Sequence, residues 1–490
     1  MPGDSPHETP RTGTVPQGPA RGWDTLAACG RRYCLATLGP LAIAGAHFLV
    51  SVLFLRLTAP AAFGLFAFVL VLVPFWLSLS VALLGAPLTS TRPDNAGEIP
   101  TLMKANSWFC LAAAIAVAAL LAASGAAPLP AALFGLYGGT MCLRWFGRWL
   151  AYASRHPARA ILSDVVYAAL LAAGIAALAS LHALTLIHAA WVLCAAACAG
   201  LAVFGTGFLA AQAKAWREAG LAAYRPIWRD LTQWSLLGVV TTELSVNAHA
   251  YLVTLLAGPD AFALIAAGAL FMRPVSLCLT ALPDRERPVM VERLAAGDPA
   301  GAQACVRDFL CAMGAVWLLT VLLAGVAMLW FPHAILKAAY GRQQIVAVIA
   351  LWAAITAVRA LRTPDAVLLQ AAREYRPLAG ASVWSSIVSL ALTAVLLLAF
   401  GPVASLGGIL VGDIVMTQRI FVLVRRWKRT RHGEPAPAAL WRAENLFAQK
   451  DARRKTDSIP GTNPKSPRPA RLRANDARDR AMRKLFSDGP

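Results

Sequence analysis

Charge is scarce in the body of this chain. Asp, Glu, Lys and Arg make up 14% of the 490 residues while hydrophobic types make up 58%, a balance with too little polar surface for a water-soluble protein of this size. Common catalytic signatures are missing as well. No GxxxxGK[ST] phosphate loop, HExxH zinc helix or GxSxG elbow occurs, so nucleotide hydrolysis and these hydrolase chemistries lack their usual residues. The longest outward loop, about residues 331–344, holds no Asp or Glu, whereas membrane glycosyltransferases and polymerases carry acidic residues there. The chain is expected not to be an enzyme and to need no cofactor or metal, so its energy comes from an ion gradient or from the substrate's own gradient. Nine cysteines fall mostly within apolar stretches and none in an outward loop, which gives no disulfide framework. Cys194 and Cys198 share a helix face and read as core thiols. A cleavable signal peptide is not expected either, because the first 33 residues are polar and the first apolar run is long enough to stay in the bilayer.

What is present is a series of apolar runs. About 20 residues rising ~1.5 Å each cross a ~30 Å hydrocarbon core, and twelve such runs fit at 36–56, 63–87, 106–126, 128–145, 160–180, 184–210, 232–256, 260–283, 308–331, 345–371, 378–400 and 403–424. Each is read as a helix, since an α-helix satisfies its own backbone within the membrane while sheets must close into barrels of shorter strands. The predicted fold class is therefore all-α, a polytopic membrane protein with 12 transmembrane helices in two parallel-related six-helix lobes.

Basic residues set the orientation. Arg11, Arg21, Arg31 and Arg32 precede the first span, and later even-numbered loops carry Arg144, Arg148, Arg155 and Arg159, then Lys214, Arg217, Arg225 and Arg229, then Arg285, Arg287 and Arg293. Odd-numbered loops hold only Arg56, Lys337 and Arg342. Both termini are thus expected in the cytoplasm. The implied organisation is a cytoplasmic arm (1–35), an N-lobe (36–210), an inter-lobe linker (211–231), a C-lobe (232–424) and a basic, largely disordered tail (425–490). From Arg425 onward 18 Lys and Arg face 7 Asp and Glu, an excess of 11, with short helices expected near 438–450 and 476–486. Such a segment beside a bilayer binds its anionic leaflet at about 1 kcal/mol per basic residue, which accounts for the charge without nucleic acid as a partner.

Two hairpins repeat. Ala59 to Ala67 (APAAFGLFA) matches Gly258 to Ala266 (GPDAFALIA) at Pro60 and Pro259, Phe63 and Phe262, and Leu65 and Leu264. Down the next helix Pro74, Leu77 and Leu79 resemble Pro274, Leu277 and Leu279 with a one-residue slip. Six spans per half make the repeats parallel, a common transporter plan with a cleft between bundles. Each mid-span proline bends its helix, for transport or simply for packing.

Charged groups inside spans usually face a cavity or a partner. Glu243 and Arg273 each lie fifteen residues from Gly258, so a straight hairpin puts them level and able to pair. Thr232, Glu243, Asn247, Tyr251 and Thr254 form a polar stripe at helical spacing. This pattern reads either as a cavity wall or as a permanent salt bridge between spans seven and eight. Asp413 and Ser389 are level about Gly401, and Ser382, Ser385, Ser386, Ser389 and Thr393 form a strip suited to close helix packing. Asp413 is also a candidate proton or cation site. His47 and His249 read as hydrogen-bonded packing residues or as proton relays. Arg56, Arg144, Arg148, Arg359 and Arg362 lie near span ends, where lipid phosphate is the ordinary partner, though a guanidinium also grips pyrophosphate. The cavity candidates are Glu243, Asn247, Arg273, Asp413, Arg56, Arg144 and Arg359.

Four stretches carry a family likeness: "FLVSVLFLRLTAPAAFGLFAF" (Phe48 to Phe68), "PVMVERLAAGDPAGAQACVRDFL", "PHAILKAAYG" (Pro332 to Gly341) and "YRPLAGASVWSSIVSLALTAVLLLAFGPVASLGGILVGD". In order and spacing across roughly residues 31 to 425, they resemble the polysaccharide transporter branch of the multidrug/oligosaccharidyl-lipid/polysaccharide (MOP) exporter superfamily, which includes Wzx-like O-antigen flippases. The resemblance implies a bacterial inner-membrane flippase for a polyprenyl-linked oligosaccharide or polysaccharide precursor, as in O-antigen and lipopolysaccharide biosynthesis, working by alternating access and alongside other polysaccharide assembly proteins. Asp413 departs from the family pattern of a small or apolar residue there. Two rivals stay open: a multidrug or metabolite exporter of the same superfamily, and a non-transporting scaffold of a polysaccharide assembly complex.

Overall fold

The computed structural model describes residues 22–85, 87–88, 98–154, 156–330, 341–372 and 374–431. The predicted tail helices, most of the N-terminal arm and Lys337 lie outside them. Fourteen helices account for the transmembrane body among the described residues: α1 (Gly22–Leu57), α2 (Pro60–Ser80), α3 (Glu98–Ala123), α4 (Pro128–Ala153), α5 (Pro157–Ser180), α6 (Leu186–Ala202), α7 (Gly205–Glu218), α8 (Gln233–Leu256), α9 (Pro259–Phe271), α10 (Arg273–Ala295), α11 (Pro299–Trp330), α12 (Arg342–Ala371), α13 (Tyr375–Phe400) and α14 (Pro402–Arg431). Eight spans pass a strict test of length and apolarity, and two bent pairs, α6 with α7 and α9 with α10, raise this to ten. With α4 and α8, of 26 and 24 residues, the body has twelve spans.

Punctuation in the sequence explains where the helices start. Proline opens α2, α4, α5 and α9 at its first turn, where its missing N–H costs nothing. Gly258 and Gly401, at φ 87° and 88°, make the reversals before Pro259 and Pro402, a left-handed backbone that glycine adopts without strain.

The two predicted long spans at 184–210 and 260–283 are corrected. The first breaks between Ala202 and Gly205, turning by 97°, so α7 leaves the bundle axis. The second breaks at Met272 with a 63° bend. The repeat prolines therefore act differently: Pro74 stays inside α2, which ends in a π-helical turn at Val81–Gly85, whereas Pro274 sits in the first turn of a new helix.

Helices α1 to α6 form one lobe and α8 to α14 the other. In the first, α1 packs on α5, and α3 on α4; in the second, α14 packs on α13 and α12, and α8 on α13. The serine strip works as a packing surface. Ser385 donates to the Gly412 carbonyl at 2.8 Å, and a Cβ on Gly412 would lie 2.5 Å from Ser389 Cβ, so the small residues let two backbones approach closely.

The lobes meet through α2, which lies against α9 and α8. The two repeated hairpins are what touch: a Cβ on Gly64 would collide with the Pro259 carbonyl. Around this contact one buried core runs through both lobes, from Phe54, Phe66 and Tyr137 to Phe262, Trp352 and Ile409. At the end of the bundle where α1 begins and α14 finishes, that core divides. Phe146, Leu150 and Phe208 belong to a core of the first lobe alone, and Met290, Phe309 and Trp427 to one of the second. The body is a fork in its packing: the lobes share one core at one end and keep separate cores at the other, where α8 still lies against the turn at Val81–Gly85.

Candidate functional site

The charged groups of the spans gather where the fork divides. On α4, Arg144 falls between Met141 of the common core and Phe146 of the first lobe's own core; on α12, Arg359 falls between Ile355 and Ala360 in the same way. Arg273 lies between Met272 and Val275, and Asp413 between Ile409 and Ile420. Each thus marks the level at which shared packing ends.

In the first lobe, Arg144 Nη1 donates to Asp164 Oδ1 at 2.9 Å and to Ser163 Oγ at 3.2 Å. Arg148 holds the other carboxylate oxygen at 3.1 Å. Both side chains of the Arg144–Asp164 pair are fully buried, a placement that requires a close counter-charge because an unpaired buried ion is very costly. Arg144 also lies over the Tyr167 ring at 4.6 Å. Tyr167 in turn joins Tyr137 and His47 Nε2 through hydrogen bonds of 2.8 Å each, so His47 is hydrogen-bonded within the first lobe.

The second lobe repeats the motif. Arg359 Nε donates to Asp413 Oδ2 at 2.7 Å and Arg362 Nη1 lies 2.8 Å from Oδ1. The arginine pairs occupy the fourth span of each half, while the carboxylates come from the fifth span in one and the last in the other. The reading of Arg144, Arg148, Arg359 and Arg362 as lipid anchors is corrected: all four hold carboxylates inside the protein. Arg56 is exposed at the end of α1, away from the fork.

The expected pair of Glu243 and Arg273 is not formed. Glu243 accepts instead from Ser78 Oγ of α2 at 2.8 Å and from Asn247 Nδ2 at 2.9 Å, so it bridges the lobes. The level-depth argument assumed a straight hairpin, and the bend at Met272 takes Arg273 away. Its Nε finds no acceptor among the described residues. Of the polar stripe, Tyr251 packs edge-on against Phe68 and Phe75 of α2, Thr254 is buried, and Thr232 falls in the turn before α8, donating to the Ile227 carbonyl at 3.3 Å. His249 is buried and packs on Trp352 at 5.3 Å. Cys110, Cys142, Cys194, Cys198, Cys278, Cys305 and Cys311 are free; Cys194 is buried as expected, whereas Cys198 is exposed rather than in the core.

Asp164 was missed by sequence reasoning. A single aspartate in the apolar run from Pro157 to Ser180 was signal enough, by the rule that an ionised group inside a span has a partner.

No protein-family model and no curated protein sequence matches the chain. Solved structures do. An inward-facing multidrug resistance MATE family transporter of the MOP superfamily is 12% identical, is matched over 80% of this chain and 97% of its own, and has a TM-score of 0.58. The lipid II flippase MurJ in an inward closed conformation is 11% identical, matched over 92% and 98%, with a TM-score of 0.60. A MOP superfamily transporter from Pyrococcus furiosus, described by the reverse polarity of its binding pocket, is 12% identical, matched over 80% and 93%, with a TM-score of 0.50.

The fold is that of these transporters.

Proposed function

We propose that this chain is a flippase that carries a polyprenyl-linked oligosaccharide or polysaccharide precursor across the bacterial inner membrane by alternating access, with both termini in the cytoplasm. One observation carries the reading. Arg359 and Arg362, each partly exposed, share the one carboxylate of Asp413, and Arg273 adds a guanidinium with no ion pair among the described residues, so together with the lobe-bridging Glu243 these groups leave an excess of positive charge. A net-positive seam suits an anionic headgroup and disfavours the cationic solutes of a drug exporter. Guanidinium is the side chain whose paired donors match phosphate oxygens. The existence of a lipid II flippase on the same fold supports a lipid-linked cargo. The shared core around the Gly64 to Pro259 contact and the separate cores at the opposite end suit a body that opens from the end with separate cores, the cytoplasmic one on this reading.

The test is export of surface polysaccharide in cells lacking the native copy. Wild type restores it, and Arg273→Ala at the same membrane level does not. Normal export by Arg273→Ala, with loss only on deletion, would favour the scaffold reading instead, and cationic drug efflux that survives the substitution would favour the drug exporter.

A further inference from the structure

We propose that α7 and the linker that follows it form a strap lying in the plane of the membrane, which binds the anionic phospholipid headgroups of the leaflet at the open end of the fork. The geometry starts with α6, whose 17 residues rise about 26 Å, slightly less than a hydrocarbon core. The chain then turns 97° into α7, at the depth where hydrocarbon gives way to headgroups. Here the helix is pinned. Gln212 Nε2 donates to the Met103 carbonyl and to Ser107 Oγ at 2.6 and 2.7 Å, Lys104 Nζ caps the Ala219 carbonyl at 2.7 Å, and Tyr224 OH donates to Leu83 O at 2.8 Å. Burial between α2 and the linker pushes the Tyr224 phenol up. Phe208 and Ala215 face the first lobe's core.

The exposed surface of the strap has a composition suited to one kind of partner. Leu209, Trp216, Leu221 and Trp228 are exposed, and Trp216 rests against the exposed Trp108 at 4.8 Å. Roughly a quarter to half a turn around α7 from Leu209 and Trp216 stand Arg217 and Lys214, followed in the linker by Arg225 and Arg229, against Glu218 as an exposed acid. Indole rings and leucines beside basic groups, on a helix parallel to the bilayer, describe an interfacial segment that inserts shallowly and attracts anionic lipid. The strap joins the two lobes, so its attachment would bear on how far the fork opens.

The test places the full-length protein in nanodiscs of phosphatidylcholine, with and without phosphatidylglycerol, and follows hydrogen exchange over residues 205–229. Anionic lipid is expected to slow exchange severalfold in this segment. Combined Lys214→Glu, Arg217→Glu, Arg225→Glu and Arg229→Glu is expected to remove the difference, because each basic residue at such a surface contributes roughly fivefold in partition. A second readout guards against a folding defect: brominated phosphatidylglycerol should quench wild-type fluorescence more than that of Trp216→Phe. Equal exchange in both discs, or equal quenching of the two proteins, would overturn the proposal.

Discussion

Arg359 Nε donates to Asp413 Oδ2 at 2.7 Å, tying α12 to α14 at the depth where one core becomes two. Arg362 holds the second carboxylate oxygen at 2.8 Å, and little of any of the three side chains reaches solvent. Replacing the shared carboxylate strands two guanidinia. Asp413→Ala is therefore expected to destabilise the purified protein by about 3–5 kcal/mol, read as a lower midpoint of thermal unfolding in detergent. Combining it with Arg359→Met and Arg362→Met should recover much of that loss, because the cost lies in the unpaired charges. A triple variant as unstable as Asp413→Ala would contradict this.

In the first lobe the equivalent carboxylate is held from behind by a glycine. A Cβ on Gly39 would stand 2.5 Å from Asp164 Oδ2, the oxygen that pairs with Arg148. Gly39→Ala should push the carboxylate off Arg148 and cost about 1–3 kcal/mol, as overpacking does. Gly45, on the same helix with open space around its Cβ position, supplies the control: Gly45→Ala should be neutral or slightly stabilising, since alanine favours helix over glycine. Equal effects at the two positions would remove Asp164 from the explanation.

Much of this architecture was legible in the sequence. Twelve apolar runs of spanning length and a repeat at Ala59–Ala67 and Gly258–Ala266 give two six-helix lobes, and the matching hairpins turn out to be the surfaces that touch across the seam. The serine strip on α13 was read correctly as a packing surface because small side chains at helical spacing have few other uses inside a membrane. The charge pairings were harder. Sequence spacing gives depth only along a straight helix, so the break at Met272 defeated the pairing of Glu243 with Arg273. Arg144 and Arg148 were placed at a span end because the predicted fourth span stopped at 145, although α4 continues to Ala153 with those side chains turned inward; Arg359 and Arg362 lie well inside the predicted span 345–371, so there only their partner was misjudged.

Glu243 and Ser78 give a direct measure of lobe contact, since one belongs to α8 and the other to α2. A double-mutant cycle of Ser78→Ala with Glu243→Ala should show a coupling energy of about 1.5–3 kcal/mol, the range for a hydrogen bond to a charged group. The control cycle of Asn247→Ala with Glu243→Ala lies within one helix. A trapped state with the lobes apart should abolish the first coupling and keep the second. Zero coupling between Ser78 and Glu243 in the resting protein would mean that the lobes are not joined there in solution.

The closed end of the fork depends on the absence of a side chain at Gly64. With the Pro259 carbonyl lying where a Cβ would be, α2 and α9 can meet only through glycine, and Phe63, Phe66 and Phe262 pack around the contact in the common core. A leucine at this position cannot be absorbed by rotating a neighbour, because the obstacle is backbone. Gly64→Leu should hold the lobes apart at this end, which favours the opposite arm of an alternating-access cycle and stops turnover. The substitution need not unfold either lobe, as each keeps its own core at the other end. In a background without native cysteines, Ala67→Cys, buried in the resting state, should become reactive to a membrane-impermeant thiol reagent when Gly64→Leu is added. Reactivity that stays low, with transport intact, would show that the hairpins are not in contact in the membrane.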